Sequence, residues 1–446
     1  MPKLLPKNPL NFAKKQLSHG VNALSRLQKT ASVAGLSALR VAKGDKMDAQ
    51  LLREAFEQMG VTYIKLGQFI ASTPSIFPRE YVLAFQGCLD QTTPVPFAKI
   101  RQVLIDELET DSRGLGDIFS YIDPVPLASA SIAQVHKAVL ADGRQVALKV
   151  QKPDVDTIMH TDLSVLYGAF WALEKVVPNL KAASLAPIVD EMRARMLAET
   201  DFLAESAHID KFLAHLKQVG NDKVTAPTVH HALSTKKVLV MDLLMGKSLI
   251  DESLIWDGTA GRDSKQIMSD VLDTWFLSLM MTGEFHADLH AGNLMLLNDG
   301  RIAFLDFGLM GQIAPSSLQA CFGLVQSLQI NDYRGMAQAM VAIGMTHRAG
   351  KIDIDRLADD LQKILGKITP NAYGQPPKPA QIGAEGNDGL NAMMLEMVEI
   401  GKRHGIHFPR DFALLVKQLL YFDRFMVTLA PDMELFEGER LSLVKE

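Results

Sequence analysis

Apolar residues recur with two different periods along this chain, and the change of period divides it. Residues 50–110 carry helical spacing, interrupted at Thr73-Pro74, Phe77-Pro78 and Pro94-Val95-Pro96, since proline lacks the amide hydrogen a helix needs and restricts the residue before it. A β-rich region follows. Phe119-Ser-Tyr-Ile122 precedes a proline-containing turn, Ile132–Leu140 forms the next run, and the hairpin signal Asp142-Gly143 leads into Gln145–Val150, which is β-branched and apolar. Residues 185–217 read as helical, two short strands are expected near Val224 and at Lys237–Asp242, and beyond Gly246 the chain is mostly helical. There, Ile267, Val271, Leu272, Trp275, Phe276 and Leu279 share one stripe at helical spacing. Residues 373–388, rich in Gly, Pro and Ala, read as a surface loop. The expected fold class is α+β and bilobal: a helical prefix, a small β-lobe with one long helix, then a large α-lobe, with no βαβ alternation.

Composition narrows the class. The chain has 446 residues, 48% hydrophobic and 22% charged, which suits a folded globular protein. A net charge of −5 gives no overall attraction to nucleic acid. Cys88 and Cys321 stand too far apart in sequence to suggest a zinc site or a disulfide framework. The most apolar long stretch, Phe412–Ala430, contains Lys417, Asp423 and Arg424 and reads as a core helix, not a membrane span. Before the first acidic residue, Asp45, lie Lys3, Lys7, Lys14, Lys15, Arg26, Lys29, Arg40 and Lys43. This basic prefix fits a solvated tail, a peripheral anchor on anionic lipid, or a mitochondrial transit peptide. The expected location is the cytoplasm with peripheral contact at the inner membrane, or the mitochondrion if the prefix is a transit peptide.

The strongest chemical signal is His286-Ala-Asp288-Leu-His-Ala-Gly-Asn293, followed by Asp306-Phe307-Gly308. Phosphoryl transfer needs a carboxylate to orient the attacking group and oxygen ligands to hold magnesium against phosphates. Asp288 and Asn293 have the five-residue spacing of a kinase catalytic loop, and the apolar strand Arg301–Leu305 can present Asp306 beside it. Asp288 is the expected catalytic carboxylate, and Asn293 and Asp306 the expected metal ligands. Lys149 closes Val146-Ala-Leu-Lys149, the strand lysine that meets the α- and β-phosphates. Its carboxylate partner is sought on the following helix among Glu191, Glu199, Asp201 and Glu205. On one continuous helix, Glu199 and Glu205 point about 120° apart, which gives them different partners. Where a protein kinase covers the phosphates with a glycine-rich turn, this chain has Leu127-Ala128-Ser129-Ala130-Ser131-Ile132, which permits less close approach. The adenine is expected on backbone near Asp242 and Leu244. No Ala-Pro-Glu follows Asp-Phe-Gly, so no platform for a peptide substrate is visible. His286 and His290 are expected to pack the loop.

Four segments together resemble the UbiB/AarF family of atypical kinases over about residues 50 to 430: Lys65-Leu-Gly-Gln68, Ala128–His136, Glu199-Thr-Asp201-Phe with Glu205, and the His286–Asn293 loop. The resemblance implies a protein-kinase-like fold with a helical extension packed over the active site. It divides the chain into a basic segment (1–49), that extension (50–115), an N-lobe (116–245) and a C-lobe (246–446). It also implies that Lys65 and Gln68 face the nucleotide, with Glu199 as the mate of Lys65 and Glu205 as that of Lys149. The implied function is Mg-dependent ATP hydrolysis or phosphoryl transfer supporting isoprenoid-quinone biosynthesis or handling, with phenolic or isoprenoid lipids, or quinone-biosynthesis proteins, as partners. Three alternatives remain: a small-molecule phosphotransferase of the aminoglycoside or choline kinase type, a nucleotide-gated chaperone or scaffold, and an iron oxygenase built on His286 and Asp288.

Overall fold

The computed structural model describes residues 48–71, 79–85, 94–176, 199–249, 263–344, 352–365, 389–406 and 408–430, with Gln28, Ser32, Val33, Arg40, Arg193, Met196 and Leu197 besides. Most of the basic prefix, Ser72-Thr73-Pro74, Cys88, Glu191 and the 373–388 loop lie outside the described residues. The helices α1 (Ala49–Met59), α2 (Val61–Ala71), α3 (Arg79–Phe85), α4 (Phe97–Leu108) and the short α5 (Leu115–Ile118) come first. Strands β1 (Phe119–Ser129), β2 (Ala133–Leu140) and β3 (Gln145–Gln151) follow, then α6 (Val155–Val176), α7 (Phe202–Gln218), β4 (Val224–Thr225), β5 (Val238–Asp242) and β6 (Gly246–Ser248). The remainder is α8 (Ser264–Thr282), β7 (Glu284–His286), β8 (Leu294–Leu297), β9 (Ile302–Phe304), β10 (Met310–Gln312), α9 (Pro315–Gln329), α10 (Tyr333–Ile343), α11 (Ile354–Leu365), α12 (Gly389–Arg403) and α13 (Arg410–Leu429).

The chain divides into two compact units. The first comprises Met1–Ala71, Glu80–Ala204 and Val229–Leu243, and the second Ser72–Arg79, Glu205–Thr228 and Leu244–Glu446.

The first unit is built on an antiparallel sheet of order β1-β2-β3-β5. Its core sets Ile100, Leu104 and Leu108 of α4 against Val146, Leu148, Val150, Val238 and Val240 of the sheet. Val146, Ala147, Leu148 and Val150 set apolar side chains on both faces of β3, which is buried from Val146 to Gln151. The expected proline-containing turn after Ile122 is absent. Instead β1 runs on through Pro124 and Pro126 to Ser129, with register shifts between Ile122 and Pro126 and between Pro126 and Ala128. An edge strand tolerates residues without an N–H, because one of its sides pairs with nothing. Helix α2 is buried at Thr62, Tyr63, Ile64, Leu66, Gly67, Phe69 and Ile70, and it packs on α6. Apolar cover on nearly all sides explains its almost continuous hydrophobic sequence.

In the second unit, a four-stranded sheet of order β4-β9-β8-β6 and the β7–β10 pair support the chemistry-bearing loops. Trp275 of α8 organises the helical core. Its ring meets Phe276 (5.1 Å), Phe285 (5.6 Å) and Phe422 of α13 (5.1 Å) in edge-on contacts. Helix α8 starts at Asp263, whose carboxylate caps Gln266, and stops at Gly283 in a left-handed conformation. No helix among the described residues is long and apolar enough to cross a membrane.

Candidate active site

In the first unit, Lys149 sits in the middle of β3, in register with Val135 on one side and Leu239 on the other. It is 8% exposed, and its Nζ lies 5.5 Å from the centre of the Phe202 ring, within cation–π range. Lys65 and Gln68 share the one stripe of α2 that is not fully buried. The Lys65 ammonium stands 3.0 Å from a Glu199 carboxylate oxygen.

Glu199 and Asp201 are not on the helix where the sequence suggested they would be. Glu199 and Thr200 form a turn, and α7 begins only at Phe202. Asp201 starts that helix by accepting from the Leu203 amide at 3.1 Å, and its other oxygen meets Lys236 at 3.3 Å. Short polar side chains compete for backbone amides and favour helix starts, so the 120° separation argued for a continuous helix does not apply. Glu205 lies in the first turn of α7, buried, in the second unit.

The alanine-rich segment is mostly strand. Leu127, Ala128 and Ser129 end β1, Ser129 pairs with Gln134, and only Ala130, Ser131 and Ile132 turn, closed by Ala130 N–H to the Ala133 carbonyl at 2.9 Å. Gln134 of β2 grips Val95 at both its N–H and its carbonyl, and His136 Nδ1 lies 2.8 Å from the Asp123 carbonyl oxygen. Asp242 is held in the sheet opposite Val146, and its carboxylate meets His230 at 2.8 Å. Its side chain therefore has a structural partner, while Leu244 makes no backbone hydrogen bond among the described residues.

In the second unit, the loop after β7 is fixed by its own histidine. His286 is buried. Its Nε2 donates to the Asp306 carbonyl at 2.9 Å, and its Nδ1 accepts from the Asp288 amide at 3.2 Å. One nitrogen donating and one accepting define a neutral ring, in keeping with burial, which pushes the imidazole below its ordinary value. With both nitrogens engaged by backbone, His286 has no lone pair left to ligate iron. No group of three or more His, Cys, Asp or Glu that could hold a metal occurs among the described residues. His290 Nδ1 accepts from Gly292 and shapes the turn.

Asn293 Nδ2 donates to the Asp288 carbonyl at 2.9 Å, and the Asn293 carbonyl receives the Leu305 amide at 2.9 Å. Asp288, Asn293 and Asp306 are therefore tied together by hydrogen bonds at the ends of two adjoining strands. Asp306 has a left-handed backbone (φ 54°), is exposed, and accepts from Gly308 N–H at 3.2 Å. Phe307 is fully buried, with Phe212 of α7 5.1 Å and His286 5.2 Å away, and its carbonyl oxygen lies 3.1 Å from His208 Nδ1. The helix that carries Glu205 thus also holds the Asp-Phe-Gly turn.

Two residues of α13 escaped the motif reading. Lys417 donates to Asp288 Oδ1 at 2.8 Å. Gln418, fully buried, accepts from the Leu289 amide at 2.7 Å and donates to its carbonyl at 2.9 Å. The only trace of them in the sequence was polar residues interrupting an apolar helix. Burial pushes the Asp288 carboxyl up, but the Lys417 ammonium, by its charge and its hydrogen bond, outweighs this and holds it below its ordinary value.

A sheet lysine, an Asp-x4-Asn loop and a following Asp-Phe-Gly turn define a kinase-like, phosphotransferase-like protein of mixed helix and sheet. The family follows: a model of the ABC1 atypical kinase-like domain matches residues 88–340, and the chain belongs to that family. An aarF domain-containing protein kinase of Arabidopsis thaliana, chloroplastic by name, is 39% identical over 433 residues, covering 94% of this chain and 79% of its own. An uncharacterized Mycobacterium tuberculosis protein is 30% identical over 396 residues, covering 88% of this chain and 76% of its own. Among solved structures, the erythromycin complex of another M. tuberculosis protein matches with a TM-score of 0.49 at 24% identity, covering 76% of this chain and 83% of that one.

Proposed function

We propose that this protein binds ATP with magnesium and hydrolyses it, or transfers its γ-phosphoryl group to a small or lipid acceptor, in support of isoprenoid-quinone synthesis or handling. The observation that carries this reading is the hydrogen-bonded convergence of Asp288, Asn293 and Asp306. The Asn293 amide oxygen and the Asp306 carboxylate are hard donors. Two of them suit magnesium, which keeps several waters and shares its shell with substrate phosphates. When bound, the ion neutralises phosphate charge; Asn293 and Asp306 hold it, and Asp288 orients the attacking oxygen.

Lys149 is assigned to the α- and β-phosphates, and the Ala130–Ile132 turn to the phosphate cover. The backbone from Asp242 to Leu244 is assigned to adenine. Lys65 and Gln68, with Glu199 and Asp201 behind them, are assigned to restricting what reaches the nucleotide. The absence of an Ala-Pro-Glu motif argues for a non-peptide acceptor.

The test is calorimetry with Mg·ATP and Mg·ADP, followed by product analysis with and without phenolic lipids and anionic liposomes. A phosphorylated acceptor marks a transferase, and ADP and phosphate alone mark an ATPase. A folded protein that gives no signal with either nucleotide overturns the reading.

A further inference from the structure

Lys417 belongs to none of the sequence motifs, yet it meets the carboxylate on which the proposed chemistry turns. It comes from α13, 129 residues after Asp288, and its Nζ donates to Oδ1 at 2.8 Å. The next residue, Gln418, grips Leu289 at both backbone groups, so α13 is held in register with the loop. Tyr421, one turn further on, sets its ring 5.2 Å from the same ammonium. A surface lysine loses side-chain entropy when it is held in one geometry. Here the ring and the clamp hold it, and both partners are largely shielded, with side-chain exposures of 25% and 34%.

We propose that Lys417 is a positioning residue for Asp288: by holding Oδ1 it leaves Oδ2 as the oxygen that receives the attacking hydroxyl or water. This rests on the phosphoryl-transfer reading above. In that step the nucleophile's oxygen forms its bond to the γ-phosphorus as the bond to the β,γ-bridging oxygen breaks. ADP leaves with that electron pair, and the nucleophile's proton passes to Oδ2. Removing the ammonium therefore frees the carboxylate to rotate, while the Gln418 clamp still holds the loop.

The experiment compares the full-length wild type with Lys417→Met, Lys417→Gln and Lys417→Arg. Melting transitions and Mg·ADP affinity establish folding and binding; kcat against KM for ATP turnover gives the answer. In Lys417→Met, kcat is expected to fall about a hundredfold, the lower range for a positioned acid–base group, with KM and Mg·ADP affinity kept. Lys417→Gln, shorter and without the charge, is expected to lose kcat in the same way, so it decides the matter if the Met variant does not fold. Lys417→Arg, which keeps a charged donor, is expected to recover most of the lost kcat. Turnover in the wild type with unchanged kcat in the Met and Gln variants overturns this inference alone. A wild type that binds Mg·ADP and never turns over overturns the phosphoryl-transfer reading and this inference together.

Discussion

Asp306 and His286 show how single residues set this site. Asp306 has φ 54°, a left-handed conformation that costs an ordinary L-residue about 1–2 kcal/mol and that aspartate bears better than most. The conformation is held by the Gly308 amide on Oδ1 and by His286 on the backbone carbonyl, and the carboxylate remains exposed. Asp306→Asn keeps the shape and removes the charge, so Mg-dependent nucleotide turnover should be abolished; normal turnover in that variant removes the metal assignment. His286 makes a prediction about pH. Its folded form stays neutral because burial depresses its pKa, whereas the unfolded chain takes up a proton below about pH 6.5. The unfolded state then binds more protons, and stability falls as pH drops through that region. Chemical unfolding of His286→Gln, measured from about pH 7.5 down to about pH 5, should show a shallower decline than the wild type. An identical slope would leave His286 without its assigned share.

Elements carry the next level of constraint. The alanine-rich stretch was legible as a motif but not as a shape. Prolines at 124 and 126 signalled a turn, and only the edge position of β1 lets the strand pass through them. Helix α7 is likewise shorter at its start than its pattern implied, because the Asp201 side chain takes the Leu203 amide and opens the helix there. That helix presses Phe212 against Phe304 and Phe307, each 5.1 Å away. Phe212→Ala opens a cavity between them, and such truncations cost about 3–5 kcal/mol. Denaturant titration should report a loss of that order, with faster amide exchange around Phe307; a loss of under about 1 kcal/mol would mean that the ring does not hold the turn.

At the scale of the whole molecule, charge and connectivity decide. Eight basic residues precede the first acid, and each contributes about 1 kcal/mol near an anionic membrane surface. Removing residues 1–44 should therefore lower sedimentation with anionic liposomes; equal sedimentation leaves a solvated tail. The local order of elements and the identities of Lys149, Asp288, Asn293 and Asp306 were readable because short-range physics writes them. A buried strand must be apolar on both faces, and the Asp-x4-Asn spacing and the Asp-Phe-Gly run are contained within a few residues each. The partners of those groups were not readable in this way. Lys417 and Gln418 look, along the chain, like polar interruptions of an apolar helix. Only tertiary folding brings them across 129 positions to Asp288 and Leu289, because hydrogen-bond reach is set by distance in space and leaves no period in the sequence.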